Sequence, residues 1–245
     1  MSSRDRLKIA FFITAKKVVA ARVNVFLFLG FVILLGYIWQ RDSFSVSFKA
    51  FLYFFPYLFL FLSQDMVKDE VDSGCLENVL FLDGNFRSYL AAKGYFLALT
   101  AISCSSIILL FFAVFGLATN QFAAVYLLQF LAGIVAGIYY LSLGGLLSFS
   151  LKGGSNVLVV ILGQVFLFVG LLLSARQESG FLDALDGGAF PDLLSKVKFL
   201  VLALIFPQVV VAERFIVYGL GIGMLGVFFM IFQRARIRSL ELERK

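Results

Sequence analysis

Apolar runs long enough to cross a membrane recur along this chain, and they leave little choice of fold. Crossing roughly 30 Å of hydrocarbon takes about 20 helical residues. Within lipid a segment must satisfy its own backbone polar groups, which only helices and closed barrels achieve. Six runs approach or exceed that length: Val23 to Trp39, Phe48 to Ser63, Tyr95 to Ala118, Phe122 to Leu151, Val157 to Ser174 and Phe215 to Phe232. With 61% hydrophobic residues and 15% charged ones, the chain carries more apolar surface than one water-soluble core buries. The expected fold is an all-α membrane protein with six transmembrane helices, in a single domain over 1–245.

A seventh apolar stretch, Phe199 to Val211, is shorter and has Pro207 within it. Too short and too broken to span, it is expected to form a re-entrant or interfacial hairpin outside the membrane core, before the last span. It belongs to an extracytoplasmic loop, 175–214.

Orientation follows from the basic residues. With the amino end inside, cytoplasmic segments hold 15 of the 21 Lys and Arg residues, among them Arg4, Arg6, Lys16, Lys17, Arg22 and the cluster Arg234, Arg236, Arg238. That is the positive-inside bias, and it places both termini in the cytoplasm. The net charge of +6 is thereby a topology signal, and no nucleic-acid partner is needed to explain it. Residues 1–22 form a basic cytoplasmic lead-in. No small-x-small cleavage site follows the first apolar run, which is expected to stay in the mature protein.

Several chemistries are excluded by what is missing. The chain has no histidine, which removes Ser-His-Asp and Cys-His catalysis and His-ligated zinc or haem. Cys75 falls in a loop and Cys104 in the third span, positions ill suited to a disulfide. None of the six span interiors contains Asp, Glu, Lys, Arg or His, whereas ion-driven carriers usually keep such a residue at membrane depth. The polar content is Asn24, Gln64, Gln129, Gln164 and scattered hydroxyls. No G-x-x-x-x-G-K-[ST] loop is present either. If ATP drives this protein, a separate subunit hydrolyses it.

Two glycine pairs, Gly133 with Gly137 and Gly219 with Gly223, stand at the four-residue spacing that lets helices approach closely. Packing within one chain and dimerisation both fit that spacing. The hydroxyls of Thr100, Ser103, Ser105 and Ser106 on the third span admit helix packing or pathway lining. The aromatic second span, with Phe51, Tyr53, Phe54, Phe55, Tyr57, Phe59 and Phe61 around Pro56, admits lining a path for an amphipathic or lipid-like substrate, but in a chain with 31 Phe lipid-facing filler is the better reading. No residue pattern singles out a substrate site.

The loop from Gln64 to Lys93 is acidic, with Asp65, Asp69, Glu70, Asp72, Glu77 and Asp83. Lying on the side where basic residues prevail, it is the expected docking surface for a protein partner. Asp83-Gly84-Asn85 is a turn signal, and a helix is expected to follow it into the third span. Asp69-Glu70, Gly74, Leu76-Glu77, Leu80, Arg87 and Lys93 together resemble the inner loop of type-2 ABC exporter permeases. That loop typically reads E-x-x-x-G-x-L-E-x-L-L, then a turn, then Arg and Lys. Here the turn is Asp83-Gly84 in place of Pro, and Cys75 replaces the usual Thr or Ser. The runs Asp72-Ser73-Gly74-Cys75-Leu76-Glu77 and Leu151-Lys152-Gly153-Gly154 also resemble the haem-exporter permease of cytochrome c maturation.

The resemblance implies a multi-pass permease of the bacterial cytoplasmic membrane that is not itself an enzyme. It implies pairing with a second or homologous permease and with two copies of a cytoplasmic ATP-binding cassette subunit, with room for accessory membrane subunits. No cofactor is bound by this chain; ATP and Mg belong to the partner. Glu70 and Glu77 suit pairing with partner Arg or Lys, and Leu76 and Leu80 supply an apolar contact at helical spacing. Two rival classes remain. One is an ion-coupled carrier or channel, set back by the uncharged spans. The other is a six-span membrane-embedded phosphotransferase of the CDP-alcohol type. Its acidic motif is approached by Asp69-x-x-Asp72-Ser73-Gly74, without the Gly, Ala-Arg and later D-x-x-x-D that complete a metal pair.

Overall fold

The computed structural model describes residues 22–64, 66–67, 71–72, 74, 86–151, 154–175, 193–208 and 215–243, and the regular structure among them is helical. The lead-in before Arg22, the middle of the 64–93 loop and most of the 175–214 loop lie outside the described residues. Eight helices are described: α1 (Arg22–Arg41), α2 (Phe44–Phe54), α3 (Pro56–Ser63), α4 (Phe86–Ala118), α5 (Ala124–Leu147), α6 (Ser155–Ala175), α7 (Leu193–Ile205) and α8 (Phe215–Glu243). Three stretches are long and apolar enough to cross a membrane: α2 with α3 as Phe44–Ser63, Arg87–Ala118 in α4, and Ala124–Leu147 as α5. Leu29–Arg41 and Ser155–Gly170 are shorter apolar helical segments.

Local chemistry sets the breaks. Ser43 caps α2, its hydroxyl oxygen accepting from the Val46 amide at 3.3 Å, which satisfies one of the first-turn donors that a helix leaves without a partner. Pro56 has no N–H to donate, so the ladder is interrupted there. Phe55 nevertheless keeps right-handed helical dihedrals, and α2 runs on into α3 as one stretch. Beyond α4, Asn120 takes a φ of 56°, a left-handed conformation that asparagine tolerates, while the Gly116 carbonyl accepts from Gln121 and Phe122 at 2.7 and 3.1 Å. Gly154, φ 77°, makes the corresponding turn into α6, where its carbonyl accepts from Val157 and Leu158, each at 3.1 Å.

The helix α5 is the mast of the bundle. Within the chain 61% of its apolar window is buried, against 28% for α4. One face of α5 receives α2 and α3. A Cβ on Gly133 would come within 2.6 Å of the Phe55 ring, one on Gly137 within 2.5 Å of Phe59, and one on Gly144 would overlap the Ser63 hydroxyl. Another face receives α8, whose Gly226 brings its backbone against Tyr139 and whose Gly223 meets Val135. Phe48, Phe51, Phe55 and Phe59 are fully buried, whereas Phe54 and Phe61 are exposed. The aromatic second span is therefore two-faced. The buried rings recur at intervals of three and four, one face of a helix, and only the opposite face matches the lipid-facing expectation.

At one end Trp39 stacks near Phe112 and meets Phe44 edge-on at 5.2 Å, while Phe44 and Phe48 pack on Tyr126 at 5.3 and 4.6 Å. These rings join α1, α2, α4 and α5, and each favourable pair adds about 0.5–1.5 kcal/mol beyond its buried area.

The helix α4 starts at Phe86, directly after the Asp83-Gly84-Asn85 turn signal, where a helix leading into the third span is expected, and nothing in Tyr89-Leu90-Ala91-Ala92-Lys93 opposes it even where apolarity falls. One boundary differs from the sequence reading, since α8 continues past Phe232 through its arginines to Glu243. The uncharged-span expectation is accordingly revised at the edges: Lys49 stands exposed within the Phe44–Ser63 stretch, and Lys93 is buried on α4.

A bulkier side chain at Gly137 should collide with Phe59. Gly137→Val is expected to cost about 1–3 kcal/mol, read as a lowered melting temperature of the detergent-solubilised protein. Adding Phe59→Ala should recover part of that loss relative to Phe59→Ala alone. If the two effects simply add, the contact does not hold the helices together.

Candidate functional site

The helix α7 runs in from the 175–214 loop and stops at Ile205, just before Pro207. Its last carbonyls have no donor within the helix, and side chains of other helices supply them. The Tyr139 hydroxyl donates to the Leu204 carbonyl at 2.6 Å, and the Ile205 carbonyl accepts from Gln164 Nε2 at 2.7 Å and from the Tyr140 hydroxyl at 3.4 Å. Tyr139 and Tyr140 come from α5 and Gln164 from α6.

Around that helix end a four-residue polar node closes. The Tyr140 hydroxyl shares its one proton between the Ile205 carbonyl and the nearer Gln208 Oε1, at 2.5 Å, and accepts from Gln164 Nε2 at 2.5 Å. The Tyr57 hydroxyl donates to Gln164 Oε1 at 2.5 Å and accepts from Gln208 Nε2 at 2.9 Å. The Tyr57 and Tyr140 rings lie parallel with centroids 5.5 Å apart. Tyr140, Gln164 and Gln208 are buried. The node draws on α3, α5, α6 and the chain just past α7, and its donors and acceptors are neutral groups turned onto one another. Chemically this is a lock between elements rather than a counter-charge. The helix α7 thus ends against α5 and α6, and the second arm of the expected hairpin, 209–214, lies outside the described residues.

A second polar cluster stands at the opposite end from Trp39, where the 64–93 loop begins. Met66 and Val67 are buried. The Lys93 ammonium on α4 donates to the Met66 carbonyl at 3.1 Å. The Val67 amide donates to Ser148 Oγ at 3.1 Å, and that hydroxyl donates to the Gly145 carbonyl at 2.7 Å. Just beside it Asn156, fully buried, donates to the Gly144 carbonyl at 3.2 Å and ties α6 to α5. Gly74 has φ 73°, and its amide donates to the Val71 carbonyl at 3.2 Å. A left-handed turn of that kind favours glycine.

The residues singled out from sequence separate as follows. Asp69, Glu70, Leu76, Glu77 and Leu80 lie outside the described residues. Gly74 makes the left-handed turn, Lys93 holds Met66, and Arg87 is exposed at the start of α4. Gly133 and Gly137 face Phe55 and Phe59 of the same chain, Gly223 faces Val135, and Gly219 lies on α8. Thr100 and Ser105 bond back to the carbonyls of Phe96 and Ala101 on their own helix. Among the described residues no group of three or more His, Cys, Asp or Glu is placed to hold a metal ion. Tyr57, Tyr139, Tyr140 and Gln208 were not foreseen as site residues. Their one signal is a glutamine directly after a proline in an apolar stretch, which must find partners if it is buried.

No protein-family model matches this chain, and no curated protein or solved structure matches it either.

Removing the Tyr140 hydroxyl leaves amide groups of both Gln164 and Gln208 short of a partner. Tyr140→Phe is expected to cost about 1–3 kcal/mol and to speed hydrogen exchange of the amides at the end of α7. Tyr139→Phe strips a donor from the Leu204 carbonyl alone and should cost less. Equal melting temperatures and unchanged exchange in Tyr140→Phe would show that the node does not hold the hairpin.

Proposed function

We propose that this chain is the membrane-spanning permease subunit of an ATP-driven ABC exporter. In this reading six helices cross the bilayer of a bacterial cytoplasmic membrane with both ends inside, and α7 is the first arm of a re-entrant hairpin before the last span. The chain forms half of the translocation pathway, the other half being a second copy or a homologous permease. Two ATP-binding subunits, which hold ATP and Mg, bind the 64–93 loop.

The observation that carries the proposal is the anchoring of that loop. An acidic, solvent-side segment gains leverage on a bundle only if its root is fixed to the bundle, and Met66 and Val67 are buried and held by Lys93 of α4 and Ser148 beyond α5. The second support is the neutral character of the buried node: Tyr57, Tyr140, Gln164 and Gln208 offer no charge to partner a driving ion, and an external motor is the consistent source of work. The loop resemblance through Asp69, Glu70, Gly74, Leu76, Glu77, Leu80, Arg87 and Lys93 points to the same class of partner.

Docking and coupling are separable. Glu70→Lys together with Glu77→Lys is expected to release the ATP-binding subunit on purification while the membrane protein stays folded. Survival of the complex through that double charge reversal would falsify the docking assignment. Lys93→Met should behave differently, retaining the complex but lowering ATP-driven transport in vesicles by about tenfold, the effect of losing a charge-assisted hydrogen bond. Transport that needs only an ion gradient, with no ATP and no partner ATPase, overturns the proposal in favour of an ion-coupled carrier.

A further inference from the structure

Between α4, α5 and α8 lies a cleft of about 410 Å³, at the end of the bundle where the 64–93 loop is anchored. Neither the node nor the loop anchor accounts for it. Its walls are almost wholly apolar, with Ala98, Leu99 and Ile102 from α4 facing Ile138 from α5, while Arg87 and Arg234 stand at its margin. The cleft opens sideways, since Leu99 is exposed on the bundle surface. That surface would meet acyl chains if the bundle sits in a bilayer. The volume lies in the usual range for a small-ligand site, about 300–1,000 Å³.

We infer that this cleft holds one acyl chain of an anionic phospholipid, with the lipid phosphate held between Arg87 and Arg234. Charge and depth select that occupant. Guanidinium groups recognise phosphate oxygens through paired, charge-assisted hydrogen bonds, and a zwitterionic lipid gains less there because its own ammonium competes. From Arg87 to Ile102 the helix rises about 22 Å at about 1.5 Å per residue, which is half of a bilayer about 40–45 Å thick with its headgroups. A lipid whose phosphate lies at the arginine level therefore has its acyl chain along the apolar wall. The small side chain of Ala98 leaves the room that the chain fills. The inference rests on the membrane orientation proposed above, in which the basic end faces the anionic leaflet, and not on ATP coupling.

The test uses the full chain without any ATPase, reconstituted in phosphatidylcholine vesicles containing a trace of phosphatidylglycerol with a photoreactive diazirine on one acyl chain. Labelled peptides are mapped by mass spectrometry. Labelling is expected to concentrate on the α4 segment around Leu99 and Ile102, and to exceed that from a phosphatidylcholine probe bearing the same diazirine. Arg87→Gln with Arg234→Gln should lower the phosphatidylglycerol label about tenfold, and Ala98→Leu should exclude both probes from the cleft. The Arg pair is exposed and lies apart from the buried core, so the test stands even if Ala98→Leu fails to fold. Equal labelling by the two probes, or a label indifferent to loss of the arginines, overturns the inference. So does an unlabelled cleft in which Leu99→Cys cross-links to a second copy, since a protein partner then covers it. None of these outcomes bears on whether ATP drives transport.

Discussion

A helix that stops among packed side chains leaves its final carbonyls without a donor unless other elements supply one, at about 1–3 kcal/mol for each buried group left unpaired. At Ile205 this bundle meets that requirement from two other helices. Three side chains answer it, Tyr139 and Tyr140 from α5 and Gln164 from α6, and each must be held at the right height and angle. The asymmetry of the energies explains why the arrangement is so complete. Interhelical hydrogen bonds in membranes add only about 0.6–2 kcal/mol each, so the node adds little by existing, but a single missing member exposes the larger penalty. Gln208 extends the logic, because the residue after Pro207 brings an amide of its own that Tyr57 and Tyr140 take up.

Holding those tyrosines in place is the business of the glycine-lined faces of α5. Phe55 and Phe59 fill the space that Cβ atoms would take at Gly133 and Gly137, so α3 lies close enough for Tyr57 to reach across to Gln164. On another face, the backbone of Gly226 lies against Tyr139, and the Tyr139 and Phe229 rings meet at 5.6 Å. In lipid there is no hydrophobic drive to bring helices together, and close van der Waals approach between small residues takes its place. The same glycines thus set the helix spacing and the reach of the polar side chains.

How much of this was legible in the sequence depended on the range of each interaction. The apolar runs announced helices by length alone, and Pro56 and Pro207 marked breaks where the structure has them. The spacing of Gly133 and Gly137 announced close packing, although only the fold names Phe55 and Phe59 as what packs there. The root of the 64–93 loop was legible in kind, through Gly74 and Lys93, but not in its partners Met66 and Ser148. The node was not legible, because Tyr57 and Gln208 are brought together from opposite ends of the chain and tyrosines in an aromatic-rich span look like their neighbours. The division of the phenylalanines into a buried and an exposed face was available in the three- and four-residue intervals, but a chain with 31 phenylalanines obscured it. The start of α4 was legible in the Asp83-Gly84-Asn85 turn signal just before Phe86, whereas hydropathy alone, which falls before Tyr95, does not mark it.

The two polar clusters are joined by the elements that carry them. Ser148, which holds the loop root, lies just past the end of α5, and Tyr140 lies on the same helix about 12 Å away at about 1.5 Å per residue. The helix α6 is tied to this segment at both levels, through Asn156 at the Gly144 carbonyl and through Gln164 at the Tyr140 hydroxyl. Two fastenings on neighbouring helices resist rotation of one about the other in a way that a single fastening does not. A continuous path of hydrogen-bonded side chains and helix backbone therefore links Val67 at the loop root with Gln208 and the end of α7. On another face α5 makes its most extensive contact, with α8, where Gly223 and Gly226 lie against Val135 and Tyr139, so the helix that joins the two polar clusters is also the one on which α8 packs, beside the apolar cleft at Ile138.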